Sequence, residues 1–577
     1  MATTHSAHDE KELSLHEVKQ HPVVTVKAAV GDEAFQQAML KEPPKWFGNP
    51  IIIPSIIIAF FCSTANGYDG SLFGTLLANE KFKEFFGVEN KGIEAGIVTA
   101  MYQIGSVVSI PFVGPAIDTW GRRVGMFIGA LIIVIGVIVQ ITCISTNSVN
   151  QFMAGRFFLG FGVQIAAAAG PIYVVEVAHP AHRGICGGLY NVMWPVGALV
   201  ASSAARGGLS YSDNTSWLIP VGLQAMFPGI ICLAAFFMPE SPRWLYTNDR
   251  REEAKKVLSR LHAKGNSESE WVKLQLNEYE EFLELEGSDK KWWDYRALFR
   301  SRAAFYRLTC NCLVSCFGQW AGNGIVSYFL SAFLDTAGIR GEATQINVQM
   351  GINAIQIVFA AAGASIVDRV GRRPMLLVVN IVCGLCWIGV IVPASIANIV
   401  DKDDKEAQAA IDPNVSRAML AWVYIFQICY SAGWTPLQAL YPVEVLSYEI
   451  RAKGMAFSGL FTNFALLSNQ LGVPVALKNI QWKTYIVFCV WCFIQTGILY
   501  FLVPETKNRT VSQRPFSFHL QVEGIALRVI QENLEELDII FASPNPVKAS
   551  TAKKQYEVDA NANILHVDEA TTTAREV

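Results

Sequence analysis

Long apolar stretches alternate with short polar segments along most of this chain. Twelve stretches approach or exceed the roughly twenty residues that an α-helix needs to cross about 30 Å of hydrocarbon. Inside lipid every backbone polar group must be satisfied within its own segment, so each stretch is predicted to be a helix. The predicted spans cover residues 50–76, 95–117, 124–145, 150–177, 185–205, 217–238, 304–334, 345–367, 375–397, 417–441, 455–477 and 483–503.

A polar segment divides these spans into two groups of six. It carries mixed charges and places apolar residues such as Val257, Leu258 and Leu261 at helical spacing, which predicts amphipathic helices. The fold class is therefore all-α, a polytopic membrane protein of twelve helices in two halves. The predicted organisation is a disordered cytosolic tail (1–45), an N-terminal half (46–240), a cytosolic helical linker (241–303), a C-terminal half (304–505) and a cytosolic C-terminal tail (506–577).

Basic residues follow spans two, four, eight and ten, where Arg122, Arg183, Arg372 and Arg451 lie. Lysine and arginine collect in cytoplasmic loops, so this side and both termini are predicted to be cytosolic. The opposite loops carry the sequons Asn214-Thr215-Ser216 and Asn414-Val415-Ser416. Asn214 and Asn414 are therefore predicted glycosylation sites in the outer compartment.

Matching motifs recur in the two halves. Asp118-Thr119-Trp120-Gly121-Arg122-Arg123 returns as Asp368-Arg369-Val370-Gly371-Arg372-Arg373, and Pro239-Glu240-Ser241 returns as Pro504-Glu505-Thr506. Glu176, seven residues before Arg183, returns as Glu444 seven residues before Arg451. Two repeats related by an axis along the membrane normal place a substrate site between them near the midplane.

These motifs carry a family resemblance over about residues 50–510. The D-x-x-G-R-R loops, the segments 171–176, 239–244 and 504–507, and their order resemble the sugar porter family of the major facilitator superfamily. Segments 319–324 and 441–445 resemble its fungal lactose-permease-like branch. The resemblance implies a secondary active transporter that moves a disaccharide or hexose across the plasma membrane by alternating access, as a functional monomer embedded in the bilayer.

Charged residues in the repeated motifs form a predicted cytosolic gate. Ion pairs between the halves would form while the outer side is open and part when the inner side opens, because only contacts that differ between two states set their balance. The alternative is positive-inside topology with exposed pairs that contribute little. The gate residues, several assigned by the resemblance, are Asp118, Arg122, Glu176, Arg183, Glu240, Arg243, Asp368, Arg372, Glu444, Arg451 and Glu505.

Two charges lie within spans of the N-terminal half. Asp69 is in span one and Arg156 in span four, and charges at such positions usually face a cavity and a partner. An acidic residue at this place in span one implies, by the resemblance, proton symport. The prediction is an Asp69–Arg156 pair in which the arginine keeps the carboxylate ionised, and a weakened pair lets the carboxylate take up a proton. The alternative is a wetted, inert Asp69 at the outer end of the span.

A sugar site needs side chains that both donate and accept hydrogen bonds, with an aromatic platform. The candidates are Gln164, Asn191, Gln319, Asn323, Gln356, Asn463 and, as a platform, Trp434, with Tyr441 or Trp320 as substitutes. The resemblance implies a sugar-binding role at the positions of Asn191, Gln319 and Asn323. Two departures from the family pattern stand out: Gly318 replaces a usual Gln, and Ala439 replaces the usual span-ten Trp. The missing Trp argues against simple hexose recognition and leaves room for a larger ligand, such as a disaccharide. For each single amide the alternative is an interhelical hydrogen bond.

Composition agrees with this interpretation. Only 16% of residues are charged, against about a quarter in soluble proteins, and the net charge of -3 gives no basic field for nucleic acid. No phosphate-cradling loop, nucleophile elbow or metal-ligand spacing is present, so neither enzymatic activity, nor a cofactor, nor a metal is predicted. The alternatives are a transporter of a non-sugar polyol, organic acid or secondary metabolite, a facilitator without proton coupling and, remotely, a nutrient sensor.

The C-terminal tail contains an anomaly. In the family pattern, Pro504–Thr510 runs directly into the Leu-Glu-Glu-Leu-Asp string, which here begins at Leu534, after an insertion at residues 511–533. The opening Val511-Ser512 can be encoded by a splice-donor sequence. The hypothesis is a retained intron, and the alternative is a genuine cytosolic insertion.

Overall fold

The computed structural model describes residues 38–43, 49–87, 92–286, 295–339, 341–399, 413–446, 451–507, 540–541, 543, 545–551, 554–558 and 564–569. The tail before residue 38 and the insertion at 511–533 lie outside these residues. Each of the twelve predicted spans is helical. In the N-terminal half, the helices of spans one to six are Ile52–Leu76, Ile93–Gly114, Arg122–Thr146, Val149–Val177, Arg183–Gly208 and the pair Thr215–Leu223 and Met226–Ala234, with a short helix, Glu80–Phe86, after span one.

The second half begins with a broken span. Span seven consists of Arg302–Trp320, Asn323–Tyr328 and Leu330–Thr336, and its first break lies at Gly322, whose φ is +103°. A Cβ at Gly322 would lie 2.4 Å from the Trp387 ring, so only glycine fits there. Spans eight to twelve are Glu342–Val370, Arg372–Ile399, Pro413–Val445, Arg451–Asn479 and Lys483–Leu502, and the linker contains Pro242–Thr247, Arg251–His262 and Glu270–Glu286.

Ten helices of the described residues are long and apolar enough to cross a membrane. Spans seven and ten are not among the ten. Span seven is divided into short pieces, and span ten mixes polar residues such as Gln427 and Gln438 with Pro436 and Pro442. The breaks in span seven and the polar residues of span ten lower the mean hydropathy along these spans. Both spans are nevertheless helical and pack between apolar helices.

Close contact between helices depends on small residues. A Cβ at Gly160 of span four would lie 1.8 Å from the carbonyl oxygen of Tyr102 in span two. Without it the two backbones approach one another directly, which brings the charged residue of span four, Arg156, against span two.

Described residues near the two ends of the chain contact the helices. Ala38 is buried, and the carbonyl of Glu42 accepts a hydrogen bond of 2.8 Å from the Trp271 indole in the linker. The predicted disorder through residue 45 is therefore wrong for residues 38–43, because apolar and backbone groups there have partners on the linker. At the other end, Phe541 is buried and Ser550 Oγ accepts from the Glu505 amide at 3.1 Å.

The C-terminal tail also contains the only strands of the described residues. Lys554–Val558 pairs antiparallel with Ile564–Glu569, and a short helix, Pro546–Thr551, precedes them. The membrane-spanning part is all-α, as predicted, and this hairpin is an addition outside it.

The two halves share an apolar core at one end of the bundle only. The end that carries Gly121 and Gly371 is named the motif face, and the other end the opposite face. The largest apolar cluster joins N-terminal residues such as Phe73 to C-terminal residues such as Phe333 towards the opposite face. At the motif face each half has its own cluster, around Tyr173 in one and around Leu308 and Leu446 in the other.

Hydrogen bonds between the halves show the same asymmetry. At the opposite face, the Gly92 amide donates to the Pro474 carbonyl at 3.1 Å, and Arg206 Nε donates to Asn347 Oδ1 at 3.2 Å. Nearer the middle, Asn353 Nδ2 donates to the Ala198 carbonyl at 2.9 Å. The halves are thus closed together at the opposite face and packed separately at the motif face.

Candidate functional site

Asp69 is a fully buried carboxylate in the middle of the N-terminal half. Its Oδ1 accepts a hydrogen bond of 3.1 Å from Gln224 Nε2, whereas Oδ2 has no partner among the described residues. Its neighbour Gly67 allows this depth, since a Cβ there would lie 1.9 Å from the Trp194 carbonyl oxygen of span five. The alternative of a wetted helix-end charge is therefore wrong in this conformation.

Arg156 is equally buried but does not form the predicted ion pair. Its Nε donates to the Val98 carbonyl at 3.0 Å, Nη2 lies 3.5 Å from the Thr99 carbonyl, and the guanidinium stacks over the Phe73 ring at 4.4 Å. No ion pair of 4.0 Å or less joins it to Asp69 in the described part of the chain. The prediction of a direct pair is wrong here because the carbonyls of span two satisfy the guanidinium.

An amide cluster bridges the two halves. Asn463 of span eleven accepts a hydrogen bond from Gln103 of span two, and its Nδ2 lies 3.4 Å from Gln164 Oε1 of span four. Gln164 and Asn463 were both predicted from the sequence, and the structure brings them together. Gln103 was not predicted, because a single glutamine in an apolar span looks the same whether it packs or binds.

A second polar cluster lies within the C-terminal half. Gln319 Nε2 donates to Gln438 Oε1 at 3.2 Å, Gln438 Nε2 donates to the Tyr430 hydroxyl at 3.1 Å, and Asn469 Nδ2 donates to the Gln319 carbonyl at 2.8 Å. Gln438 also escaped the sequence analysis. Its one signal is its place beside Ala439, where the family pattern departs.

The remaining candidates differ in their surroundings. Asn323 accepts a hydrogen bond from Ser327 at 3.3 Å and also interacts with Tyr430 of the second cluster, whereas Gln356 is buried and Asn191 is exposed. Trp434 is completely buried, so its ring offers no face to a ligand in this conformation, because span ten turns it into the core. The suggested substitutes differ: Tyr441 is also completely buried, and the half-buried Trp320 indole donates to the Ala465 carbonyl at 3.2 Å.

The repeated motifs build the same buried ion pair in each half. Arg122 donates through two nitrogens to Glu176 at 3.0 and 3.2 Å, and Arg372 donates to Glu444 at 2.8–3.1 Å. A hydroxyl completes each site, from Ser241 on Glu176 and from Thr506 on Glu444. Both hydroxyl contacts are 2.5 Å.

The second glutamate of each repeat caps the loop before the following helix. Glu240 accepts from the Arg123 amide at 3.3 Å, and Glu505 accepts from the Arg372 amide at 3.0 Å. The loop glycines, Gly121 and Gly371, have φ of +100° and +103°, and a Cβ would meet the facing carboxylate at 2.5 and 2.8 Å. Backbone conformation and space thus both require glycine at this place in the motif.

The ion pairs named above lie within a half and not across the halves. Asp118 joins Arg122 at 3.2 Å in the same loop, and Arg183 bonds to Glu278 and Gln275 of the linker at 3.3 and 3.0 Å. Arg243 lies close enough to Tyr279 to act on it electrostatically. The side chains of Asp368 and Arg451 fall outside those described, so a gate across the halves remains a prediction for the other conformation.

Comparison of the sequence with protein families identifies the family of this chain. Residues 55–516 match the model of the family described as "Sugar (and other) transporter". The chain belongs to this family. Its members are transporters and not enzymes, and they have the major facilitator fold with twelve transmembrane helices.

The names of related proteins state different substrates. A high-affinity glucose transporter of Kluyveromyces lactis is 29% identical over 78% of this chain and 81% of its own. A high-affinity glucose transporter 1 of Candida albicans is 26% identical over 80% and 86%. A probable quinate permease of Aspergillus flavus is 24% identical over 87% and 95%.

Solved structures confirm the fold. The partially occluded, inward-open xylose transporter XylE from E. coli superposes with a TM-score of 0.64 over 79% of this chain and 98% of that one, at 17% identity. Its inward-open form gives 0.62 over 79% and 97%, at 18% identity.

At the motif face of the transporter, three histidines and a tryptophan line a cavity of about 460 Å³ between span one, span five and the linker. His262 bonds to the Val177 carbonyl at 3.0 Å and to Gln275 at 2.7 Å. Burial lowers the pKa of His262 to about 4, although the Val177 carbonyl opposes the shift. Burial and the neighbouring His262, His182 and Arg183 lower the pKa of His179 to about 3. Both imidazoles are therefore neutral near pH 7, where their burial costs least.

Proposed function

We propose that the chain is a proton-coupled sugar transporter of the plasma membrane that works by alternating access with both termini in the cytosol. The observation that carries the coupling is Asp69, a fully buried carboxylate with one oxygen left without a partner. An unpaired charge in such a place is costly, so a proton that neutralises it has a large effect on the energy of the conformation.

Arg156 acts on Asp69 without direct contact. It is buried in the same half, and two carbonyls and an aromatic ring hold its guanidinium. Movement of span two or span one would change the distance between the two charges, and hence the proton affinity of the carboxylate. Proton coupling then requires a change in the distance between the Arg156 guanidinium and the Asp69 carboxylate, and no ion pair has to break.

The conformation follows from the proposed orientation. With the motif face in the cytosol, the closed opposite face and the separately packed motif face describe an inward-facing state. The buried pairs Arg122–Glu176 and Arg372–Glu444 stiffen the two motif loops. In the outward-facing state these loops approach each other, and the remaining gate charges are proposed to pair across the halves.

The amide clusters support a polyhydroxylated substrate. Gln164, Gln103 and Asn463 join the halves, and Gln319 and Gln438 lie in the C-terminal half. Amides both donate and accept, as sugar hydroxyls require. The glucose transporters among the relatives favour a sugar. The quinate permeases make a polyhydroxylated carboxylic acid the second candidate.

Uptake by a yeast strain lacking its own hexose transporters tests the proposal. Cells expressing the protein would be offered radiolabelled glucose, xylose, lactose and quinate, with and without a protonophore. We expect accumulation of at least one neutral sugar above its external concentration, abolished by the protonophore. Accumulation of quinate alone would support the second candidate. Sugar equilibration that the protonophore leaves unchanged would overturn proton coupling.

A further inference from the structure

Gly318 and Gln438 occupy one space from two different helices. Gly318 lies in the last turn of the helix Arg302–Trp320 of span seven, and Gln438 lies on span ten. A Cβ at position 318 would lie 1.9 Å from Gln438 Nε2 and 2.6 Å from its Cδ. Gly318 lies in an ordinary helix, so its backbone conformation does not require glycine; the side chain of Gln438 does.

Hydrogen bonds fix the orientation of the Gln438 amide. Its Oε1 accepts from Gln319 at 3.2 Å, its Nε2 donates to the Tyr430 hydroxyl at 3.1 Å, and that hydroxyl donates to the Gly318 carbonyl at 2.9 Å. This series of hydrogen bonds ends at the carbonyl of Gly318, the residue that leaves space for the Gln438 side chain. Each amide keeps one N–H and at least one oxygen lone pair for a further partner.

The two glutamines are only partly buried, although they lie inside a helical bundle. Amide side chains in a membrane protein face the bundle interior or a water-filled space, because lipid cannot satisfy them. The adjoining segment Asn323–Tyr328 faces the other half, where a Cβ at Gly74 of span one would lie 3.0 Å from the Ser327 carbonyl oxygen. Span seven therefore contacts the other half within the segment that follows Gln319.

The hydrogen bonds described for this pair go to neutral groups. Among the described residues, Gln319 and Gln438 bond to each other, to Tyr430 and to Asn469. A carboxylate ligand is bound best by a cationic donor. The buried cation of the other half, Arg156, already bonds to two carbonyls. Adjacent hydroxyls of a neutral sugar suit two neighbouring amides, since each hydroxyl both donates and accepts.

We propose that Gln438, paired with Gln319, is a specificity-determining residue that binds adjacent hydroxyls of a neutral sugar, and that Gly318 is the residue that allows it. This inference rests on the proposed function. It assigns a ligand-binding role to a span-ten amide and explains the glycine in span seven by the same contact.

Transport kinetics of four variants test it in the full-length protein. Gln438→Ala removes the amide, Gly318→Ala displaces it, and the double variant combines both. Gly459→Ala is the matched control, because a Cβ at that span-eleven glycine meets nothing within 4 Å. The probes are radiolabelled glucose and lactose, with singly deoxygenated glucoses as competitors and surface expression measured for each variant.

Gln438→Ala and Gly318→Ala are each expected to raise KM for the transported sugar about two- to tenfold, the value of one lost neutral hydrogen bond. Each should also lose discrimination against the deoxy sugar that lacks the bound hydroxyl. The double variant should be no worse than Gln438→Ala alone, since the clash disappears with the glutamine. Gly459→Ala should keep the wild-type KM.

The outcomes separate this inference from the proposed function. If the unmodified protein transports sugar but Gln438→Ala keeps its KM and its discrimination, the role of Gln438 is refuted and the function stands. If Gly318→Ala and Gln438→Ala add in the double variant, Gly318 does not act through Gln438. If the unmodified protein transports no neutral sugar, both proposals fail.

Discussion

Removing one charge of the buried Arg372–Glu444 pair is expected to destabilise the C-terminal half strongly. The side chain of Arg372 is 1% exposed and that of Glu444 is 4% exposed, and two nitrogens of the arginine donate to the carboxylate at 2.8–3.1 Å. Arg372→Gln removes the positive charge that bonds to that buried carboxylate. Breaking a buried pair in this way costs about 3–5 kcal/mol.

The N-terminal half offers a built-in comparison. Arg122 is 13% exposed and Glu176 7% exposed, so water compensates more of the lost charge. Asp118, 71% exposed, shares the arginine and contributes little. Arg122→Gln is therefore expected to cost about 1.5–3 kcal/mol, the range for hydrogen bonds to charged groups.

Thermal unfolding of the purified protein in detergent measures the difference. The midpoint should fall most for Arg372→Gln, less for Arg122→Gln and least for the control Arg302→Gln, which replaces an exposed arginine. The double variant Arg372→Gln/Glu444→Gln should recover part of the loss, because two neutral amides can bond without buried charge. A midpoint for Arg372→Gln equal to that of Arg302→Gln, or a double variant as unstable as the sum, would refute the reasoning.

Three further predictions concern the linker, the two sequons and the C-terminal tail. Burial lowers the pKa of His262 to about 4 and of His179 to about 3, so below pH 6.5 the unfolded state binds more protons than the folded state. Docking of the linker should therefore be strongest above pH 6.5 and weaken as the pH falls towards 4, which faster hydrogen exchange of the linker helices would report. Exchange that does not change with pH would contradict this prediction. Removal of the sequons by Asn214→Gln and Asn414→Gln should abolish the shift in electrophoretic mobility that a glycosidase produces, whereas an unchanged shift would place the glycans elsewhere. Sequencing of the spliced transcript should show a message that lacks most or all of codons 511–533, and a single transcript containing all of them would exclude a retained intron.

The architecture could be predicted from the sequence because the repeated motifs form the same contacts in each half. Hydropathy gave the spans, and the motif pairs gave two halves, since the same loop must be capped by the same glutamate in each. The sequence alone did not predict which residue pairs with each charged side chain. Arg122 and Arg372 were expected to act across the halves, but each lies nearest a glutamate of its own half, and that proximity depends on how helices are rotated against each other.

The site was less predictable for the same reason. Gln164 and Asn463 were found from their residue type, and the structure places them together. Gln438 was missed because the space it fills is defined by an absent side chain on another helix. Trp434 was proposed as a platform, yet the rotation of span ten buries it.

The most direct test of the account is transport by Asp69→Asn. The amide keeps the size of the side chain and can still bond to Gln224, but it cannot ionise, so it imitates the protonated state. In proteoliposomes the variant should exchange sugar in counterflow at a rate comparable to the unmodified protein, yet fail to accumulate sugar under an imposed pH gradient. Accumulation of sugar against its gradient by Asp69→Asn would show that this buried carboxylate does not carry the proton.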